Sequence, residues 1–269
     1  MLKLTLGLGA IALYLTSTFL LWRRLQQSTS PTASPKNLAL GLGILAALLH
    51  AALVQSAIVT PNGFNLSFSN VASLATWFVT GLLLLSALQK PIENLGLVIL
   101  PLSALTLVMQ QLLTSEHVLS TGQSQELGIH ILFSILAYSL LGLAAVQALV
   151  LSFQERQLHN RHPGGLIRAL PPMETMENWL FQMLVAGLLL QSVSLLTGVF
   201  YLEDMFTQHM VHKTVLSIAA WLVFAILLWG HWRHGWRGRT AVRWTLSGFV
   251  TLLLAYFGSK YVLEIILSR

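Results

Sequence analysis

The chain has 269 residues, of which 55% are hydrophobic and only 9% charged, with a formal net charge of +6 and no cysteine. A soluble domain carries about a quarter charged residues, so a water-soluble fold is excluded. The composition predicts an all-α polytopic membrane helix bundle. Disulfides, thiol chemistry and CxxCH motifs are excluded as well.

A helix needs about 20 apolar residues to cross about 30 Å of hydrocarbon. Eight stretches qualify, at 2–22, 37–58, 70–88, 95–113, 127–153, 179–201, 213–232 and 241–267. The first has only Lys3 ahead of its apolar run, and no A-x-A-like site precedes Trp22-Arg23-Arg24. It therefore reads as a retained span rather than a signal peptide. Residues 154–178 form the longest connection, and its Pro163-Gly164-Gly165 and Pro171-Pro172 breaks predict a partly ordered connector with solvated His159 and His162. No stretch is long enough for a separate soluble domain, so residues 1–269 read as one transmembrane domain.

Charge alternates along the connections. Arg23, Arg24 and Lys36 follow span 1; Lys90 follows span 3; Arg156, Arg161 and Arg168 follow span 5; Arg233, Arg237, Arg239 and Arg243 follow span 7. The loops between spans 2 and 3 and between spans 4 and 5 have neither Lys nor Arg. The positive-inside rule then puts both termini outside a bacterial inner membrane. The basic excess is thus a topology signal, and with no RNA-binding motif beside it nucleic acid is not an expected partner. Membrane lipid is.

Two histidines fall inside apolar segments, His50 in span 2 and His130 near the start of span 5. An ionisable side chain in a bilayer is costly and marks a functional site by default. From a rise of 1.5 Å per residue, His50 lies about 20 Å from the inner end of its span and His130 about 5 Å below the outer surface. These depths agree to within about 6 Å. Imidazole is the commonest metal ligand and a usual axial ligand of haem iron, so two at one level can clamp a haem edge-on. His209 and His212, one turn apart at the outer end of span 7, can substitute. His231 and His234 lie about 30 Å away at the inner end, out of reach of the same iron. A plainer reading is that each buried histidine bonds across helices, worth about 1 kcal/mol. For His117, His209, His231 and His234 the plainer reading is a loop or interfacial residue, the last two among Trp229, Trp232, Trp236 and Trp244. No HExxH, GxSxG or paired intramembrane carboxylates occur, so no enzyme activity is expected. The nine acidic residues fall in loops or near span ends, Glu264 the nearest to a span interior, which disfavours an ion or proton transporter.

Several strings resemble the cytochrome c assembly (CcsA/CcmC) superfamily, and most closely its small eight-span branch of YpjD-like and HemX-like inner-membrane proteins. HAALVQSAIVTPNGFNLSFSNVASLATWF (50–78) is similar to a span-2 histidine followed by an outer loop and a polar stretch, here Ser67, Asn70 and Ser73 before Trp77. IHILFSILAYSLLGLAAVQAL (129–149) resembles the His-x(5–7)-Tyr span, with His130 and Tyr138. HKTVLSIAAWLVFAILLWGHWRHGWRGR (212–239) and LAYFGSK (254–260) resemble the last two spans. Two departures stand out. The loop FYLEDMFTQHMVHK has no tryptophan where full assembly members carry a tryptophan-rich motif, and YVLEIILSR lacks their later histidine. The resemblance therefore implies a protein that handles or senses b-type haem rather than ligating it to cytochrome c. It implies His50 and His130 as axial ligands, His212 as substitute, and Asn70, Ser73, Gln55 or Tyr138 as polar support. Lys213 and Lys260, at the outer ends of spans 7 and 8, are candidate partners of the haem propionates, with interfacial snorkelling the plainer reading. A rival is a haem-free accessory or regulatory membrane subunit, in ion export or control of tetrapyrrole synthesis. On either reading another membrane protein is a possible partner.

Overall fold

The computed structural model describes residues 2–26, 36–61, 63–65, 67–90, 92–113, 118–120, 125–159, 170–201 and 211–255. They form eight helices: α1 (Leu2–Gln26), α2 (Lys36–Ile58), α3 (Phe68–Gln89), α4 (Gly96–Leu112), α5 (Gln125–His159), α6 (Met173–Tyr201), α7 (Val211–His234) and α8 (Gly238–Leu253). Among the described residues, seven are long and apolar enough to cross a membrane. The described part of α8 has 16 residues. Broad apolar surface stays open, with Trp232 84% and Phe200 76% exposed. A helix that is apolar all round is satisfied only in lipid or a deep core. The chain is an all-α polytopic membrane protein.

The chain forms two compact units, one of residues 1–122 and 157–172 and one of residues 123–156 and 173–269. In the first, α1 and α2 bury matching seams. Gly7, Ala10, Tyr14, Ser17 and Leu21 recur at three- and four-residue spacing on α1, and Ala39, Gly43, Ala46, His50 and Leu53 do so on α2. This spacing keeps one helix face turned to its neighbour. Ala10, Tyr14, Leu21, Ala39, Ala46, Leu53, Leu100, Ala104 and Leu107 share one core cluster. The Ser17 hydroxyl donates to Ala39 O at 2.7 Å across the seam. α4 follows a 3-10 turn at Glu93–Leu95 and carries Pro101 in its interior. Lys36 at the start of α2 pairs with Glu93 at 3.3 Å.

One feature at the end of this unit where α2 leads to α3 was not legible in the hydropathy pattern. Three short strands, β1 (Val59–Thr60), β2 (Gly63–Asn65) and β3 (Val118–Ser120), pair antiparallel in that order. Phe64 faces Val59 on one side and Leu119 on the other. Two- and three-residue strands are too short to show a period, and their backbone groups satisfy one another where the chain leaves the helices.

The second unit is built from α5 to α8. Small residues let its helices approach closely, as membrane packing requires. A Cβ on Gly187 of α6 would stand 2.6 Å from Leu141 Cδ2 of α5, and one on Gly248 of α8 would stand 2.8 Å from the Phe224 ring of α7. Side chains then bond to backbone across the seams: Tyr138 OH to Leu252 O at 2.9 Å, Gln147 Nε2 to Met176 O at 3.1 Å and Gln191 Nε2 to Ser217 O at 3.1 Å.

The stretch 154–178, expected as a partly ordered connector, is partly helix. α5 runs on to His159 and α6 begins at Met173. Pro171 and Pro172 lie just before α6, where the missing amide hydrogens cost nothing to the helix.

Candidate functional sites in the two units

His50 sits in the buried seam of α2 and is fully enclosed. Tyr14 OH of α1 lies 3.1 Å from its Nδ1, and Ser73 Oγ of α3 lies 2.8 Å from its Nε2. Ser73 Oγ in turn lies 3.0 Å from Gln110 Oε1 of α4, and Gln110 Nε2 lies 3.1 Å from Asn70 Oδ1. Asn70 Nδ2 ends the chain on Asn65 O at 3.1 Å.

The direction of every link follows from the last one. Asn65 O can only accept, so Asn70 Nδ2 donates to it. Asn70 Oδ1 therefore accepts from Gln110 Nε2, and Gln110 Oε1 accepts from the Ser73 hydroxyl. Ser73 has then used its one proton and must accept from His50, which fixes the proton on His50 Nε2. His50 Nδ1 is left with a lone pair and accepts from Tyr14 O–H. One polarised chain thus joins all four helices of this unit.

Beside it, Ala51, Val54, Gln55, Ile58, Val59, Leu74 and Trp77 line an apolar groove of about 310 Å³ on the α2–α3 flank. Ala51 and Leu74 are the immediate chain neighbours of His50 and Ser73. Trp77 Nε1 donates to Ala47 O at 2.9 Å and holds that wall in place.

His130 sits on the second turn of α5 and is half-buried. Its Nδ1 lies 2.9 Å from Ser194 O of α6 and 3.2 Å from Thr197 Oγ1. The carbonyl can only accept, so Nδ1 carries the proton and Nε2 holds a lone pair. Among the described residues, the polar neighbour of Nε2 is Ser134 Oγ at 3.5 Å, the outer limit of a hydrogen bond. Ser134 has shorter contacts, to His130 O at 2.7 Å and to Ser194 Oγ at 2.7 Å. A backbone carbonyl on one ring nitrogen is the usual way a metal-binding imidazole is oriented. His130 thus fits an axial ligand in type and in tautomer. His50 fits in type, but both of its nitrogens are engaged within the protein.

Of the supporting residues expected from sequence, Ser73 contacts His50 directly and Asn70 lies three links along the chain. Gln55 is exposed on the groove wall. Tyr138 lies two turns further along α5, and its hydroxyl donates to Leu252 O. Lys213 is half-buried on α7. The His212 side chain, His117, His162, His209, Lys260 and Glu264 lie outside the described residues. His159 is exposed at the end of α5. His231 stacks on Phe181 with ring centroids 3.5 Å apart, and its Nδ1 donates to Trp236 O at 2.8 Å, so it shapes the α7–α8 turn. His234 packs edge-on against Trp229. Tyr14, Gln110, Ser134, Ser194 and Thr197 were missed. Their signal was the one used for histidine: polar side chains at intramembrane depth.

Comparison with known proteins agrees with this architecture. A family model described as cytochrome C assembly protein matches residues 38–267. The "Inner membrane protein YpjD" of Escherichia coli K12 is 32% identical over 237 residues, covering 86% of this chain and 88% of that protein. An "Uncharacterized 28.8 kDa protein in nifR3-like 5'region" of Azospirillum brasilense is 39% identical over 142 residues, 52% of each chain. The "Protein HemX" of Brevibacillus brevis is 23% identical over 229 residues, 82% of this chain and 84% of that one. No solved structure matches. The chain is therefore a multi-pass bacterial inner-membrane protein that belongs to the cytochrome c assembly protein family.

Proposed function

We propose that this chain binds b-type haem within the membrane and handles or senses it, without catalysing a reaction of its own. One observation carries the reading: His130 has its Nδ1 proton fixed on Ser194 O, and among the described residues its Nε2 lone pair has only a 3.5 Å neighbour. His130 is the proposed axial ligand that the geometry favours, and His50 and His212 are the other two histidines proposed for ligation. Lys213 and Lys260 would meet the propionates. When bound, haem would supply a redox-active iron; the protein's part is to orient the His130 imidazole and keep water away from it. The loop without tryptophan argues against delivery to an apocytochrome.

A second reading, a haem-free accessory or regulatory membrane subunit, is favoured by the complete internal satisfaction of His50. The two readings part on one experiment. The detergent-purified protein is titrated with haemin, reduced with dithionite and assayed as the pyridine haemochrome. Sharp reduced α and β bands at about one haem per chain are expected for a six-coordinate b-type site. A colourless protein that takes up no haemin contradicts the haem reading and leaves the accessory subunit.

A further inference from the structure

The turn between α7 and α8 carries features that haem binding does not use. Arg233 lies in the last turn of α7, Arg237 is the N-cap of α8, and Arg239 and Arg243 lie one turn apart on α8. All four are exposed, and among the described residues none is in an ion pair. A guanidinium does not lose its proton in a protein, so this edge is a fixed block of positive charge. Two carboxylates from other helices face the start of α8. Gly238 N donates to Glu177 Oε1 of α6 at 2.6 Å, and a Cβ on Gly238 would stand 3.9 Å from Glu155 Oε1 of α5. Glu177 thereby satisfies the first amide of α8, which leaves the guanidinium groups, rather than the helix terminus, to meet an outside anion.

A ladder of rings runs through the same turn. Trp229 packs edge-on against His234 with centroids 5.1 Å apart, His234 lies 6.4 Å from Trp236, and Trp236 lies 5.4 Å from Trp244. Trp229 and Trp232 stand open to the outside. Indole rings favour the boundary between hydrocarbon and headgroups. An apolar stripe leads up to them. Val215, Ile218, Leu222, Ile226 and Trp229 recur at three- and four-residue spacing on α7, all exposed, and Arg233 is the next position on that face. The exposed face of α8 begins with Arg239 and Arg243, passes Ser247 and continues in Val250 and Leu254. On both helices charge lies at the turn and apolar surface away from it.

We propose that the α7–α8 turn is a retention site for an anionic phospholipid, with its phosphate met by the arginines of the turn and its acyl chains laid on the exposed stripe of α7. Guanidinium groups match phosphate oxygens with paired N–H donors. Charge complementarity selects the lipid: a zwitterionic headgroup brings its own cation to the arginines, and a soluble phosphate leaves the apolar stripe uncovered. The loop-charge bias that orients spans asks only for basic residues in a connection, not for their alignment with an apolar stripe and a ring ladder.

The test titrates delipidated full-length protein in detergent with phosphatidylglycerol or phosphatidylcholine and counts bound lipid by native mass spectrometry. Wild type is expected to bind phosphatidylglycerol about tenfold more tightly than phosphatidylcholine. Each arginine near an anionic headgroup contributes about fivefold, so Arg239→Gln/Arg243→Gln is expected to weaken phosphatidylglycerol about twentyfold and to leave phosphatidylcholine unchanged. Arg233→Gln, on the other helix, is expected to weaken it about fivefold and keeps the test decisive if the double variant fails to fold. Arg23→Gln/Arg24→Gln removes the same charge from the end of α1 in the other unit and is expected to leave the preference intact. An equal loss in that variant overturns the site, because net charge alone then accounts for binding. Wild type that does not discriminate between the two lipids overturns it as well. Displacement of the bound lipid by millimolar inorganic phosphate overturns the choice of a lipid and assigns the arginines to a soluble anion.

Discussion

At the scale of single residues, the account turns on where protons sit. His50 and His130 are both neutral imidazoles held by oxygen, yet in opposite tautomers: Nε2–H at His50 and Nδ1–H at His130. Removing His50 leaves Tyr14 OH and Ser73 Oγ facing an apolar group in an enclosed seam. His50→Leu is expected to lower stability in detergent by about 1–2 kcal/mol, the range of interhelical polar bonds in membranes, as read by chemical denaturation. An unchanged midpoint would mean that the chain from Tyr14 to Asn65 contributes nothing. The two histidines were legible in the sequence because a lone imidazole in an apolar run is conspicuous. Their partners were not. Tyr14, Ser134, Ser194 and Thr197 are ordinary residues in a membrane helix, and only the meeting of α1 with α2, or of α5 with α6, gives them a role. Tyr138 shows the converse: it lies two helical turns from His130, where sequence suggested support, yet its hydroxyl reaches α8.

At the scale of elements, helix existence was readable nearly throughout. Hydropathy marks the apolar cores of α1 to α7, and their observed ends differ mainly where polar turns extend them. α5 continues through Gln154-Glu155-Arg156, and α6 starts at Met173-Glu174. These residues are good helix formers with no hydropathy signal. The strands between α2 and α3 and after α4 were illegible because pairing between residues 63–65 and 118–120 is a tertiary fact. Close packing gives a test. Phe224 is fully buried against Gly248, so Gly248→Leu is expected to force α7 and α8 apart at a cost of about 1–3 kcal/mol. Loss of thermal stability of the purified variant checks this, and a variant as stable as wild type would contradict the contact. The α7–α8 turn gives another. Gly235 has φ 67°, which L side chains adopt reluctantly. Gly235→Val is expected to cost about 1–2 kcal/mol, with Gly235→Asn milder, by the same measurement.

At the scale of the whole molecule, family, fold class and membrane location were all readable in the sequence. A family match over residues 38–267 and seven membrane-length helices among the described residues agree with it. The orientation rests on loop charge alone and is open to direct test, made clean by the absence of cysteine. Exposed Pro61, just after α2, and exposed Arg239, in the first turn of α8, lie at ends of opposite expected side. In intact cells a membrane-impermeant maleimide is expected to label Pro61→Cys, and to label Arg239→Cys only after permeabilisation. The reverse pattern would invert the topology and put the His130 end of α5 on the cytoplasmic side.

The central claim is that this membrane fold holds haem through an imidazole prepared for it, and one measurement meets it most directly. The His130→Gly variant is purified beside wild type, loaded with haemin, and its spectrum recorded with and without added imidazole. The account expects wild type to show a six-coordinate low-spin spectrum, the variant to lose it, and free imidazole to restore it by standing in for the missing ring. A variant whose haem content and spectrum equal those of wild type, with no response to imidazole, would contradict ligation by His130.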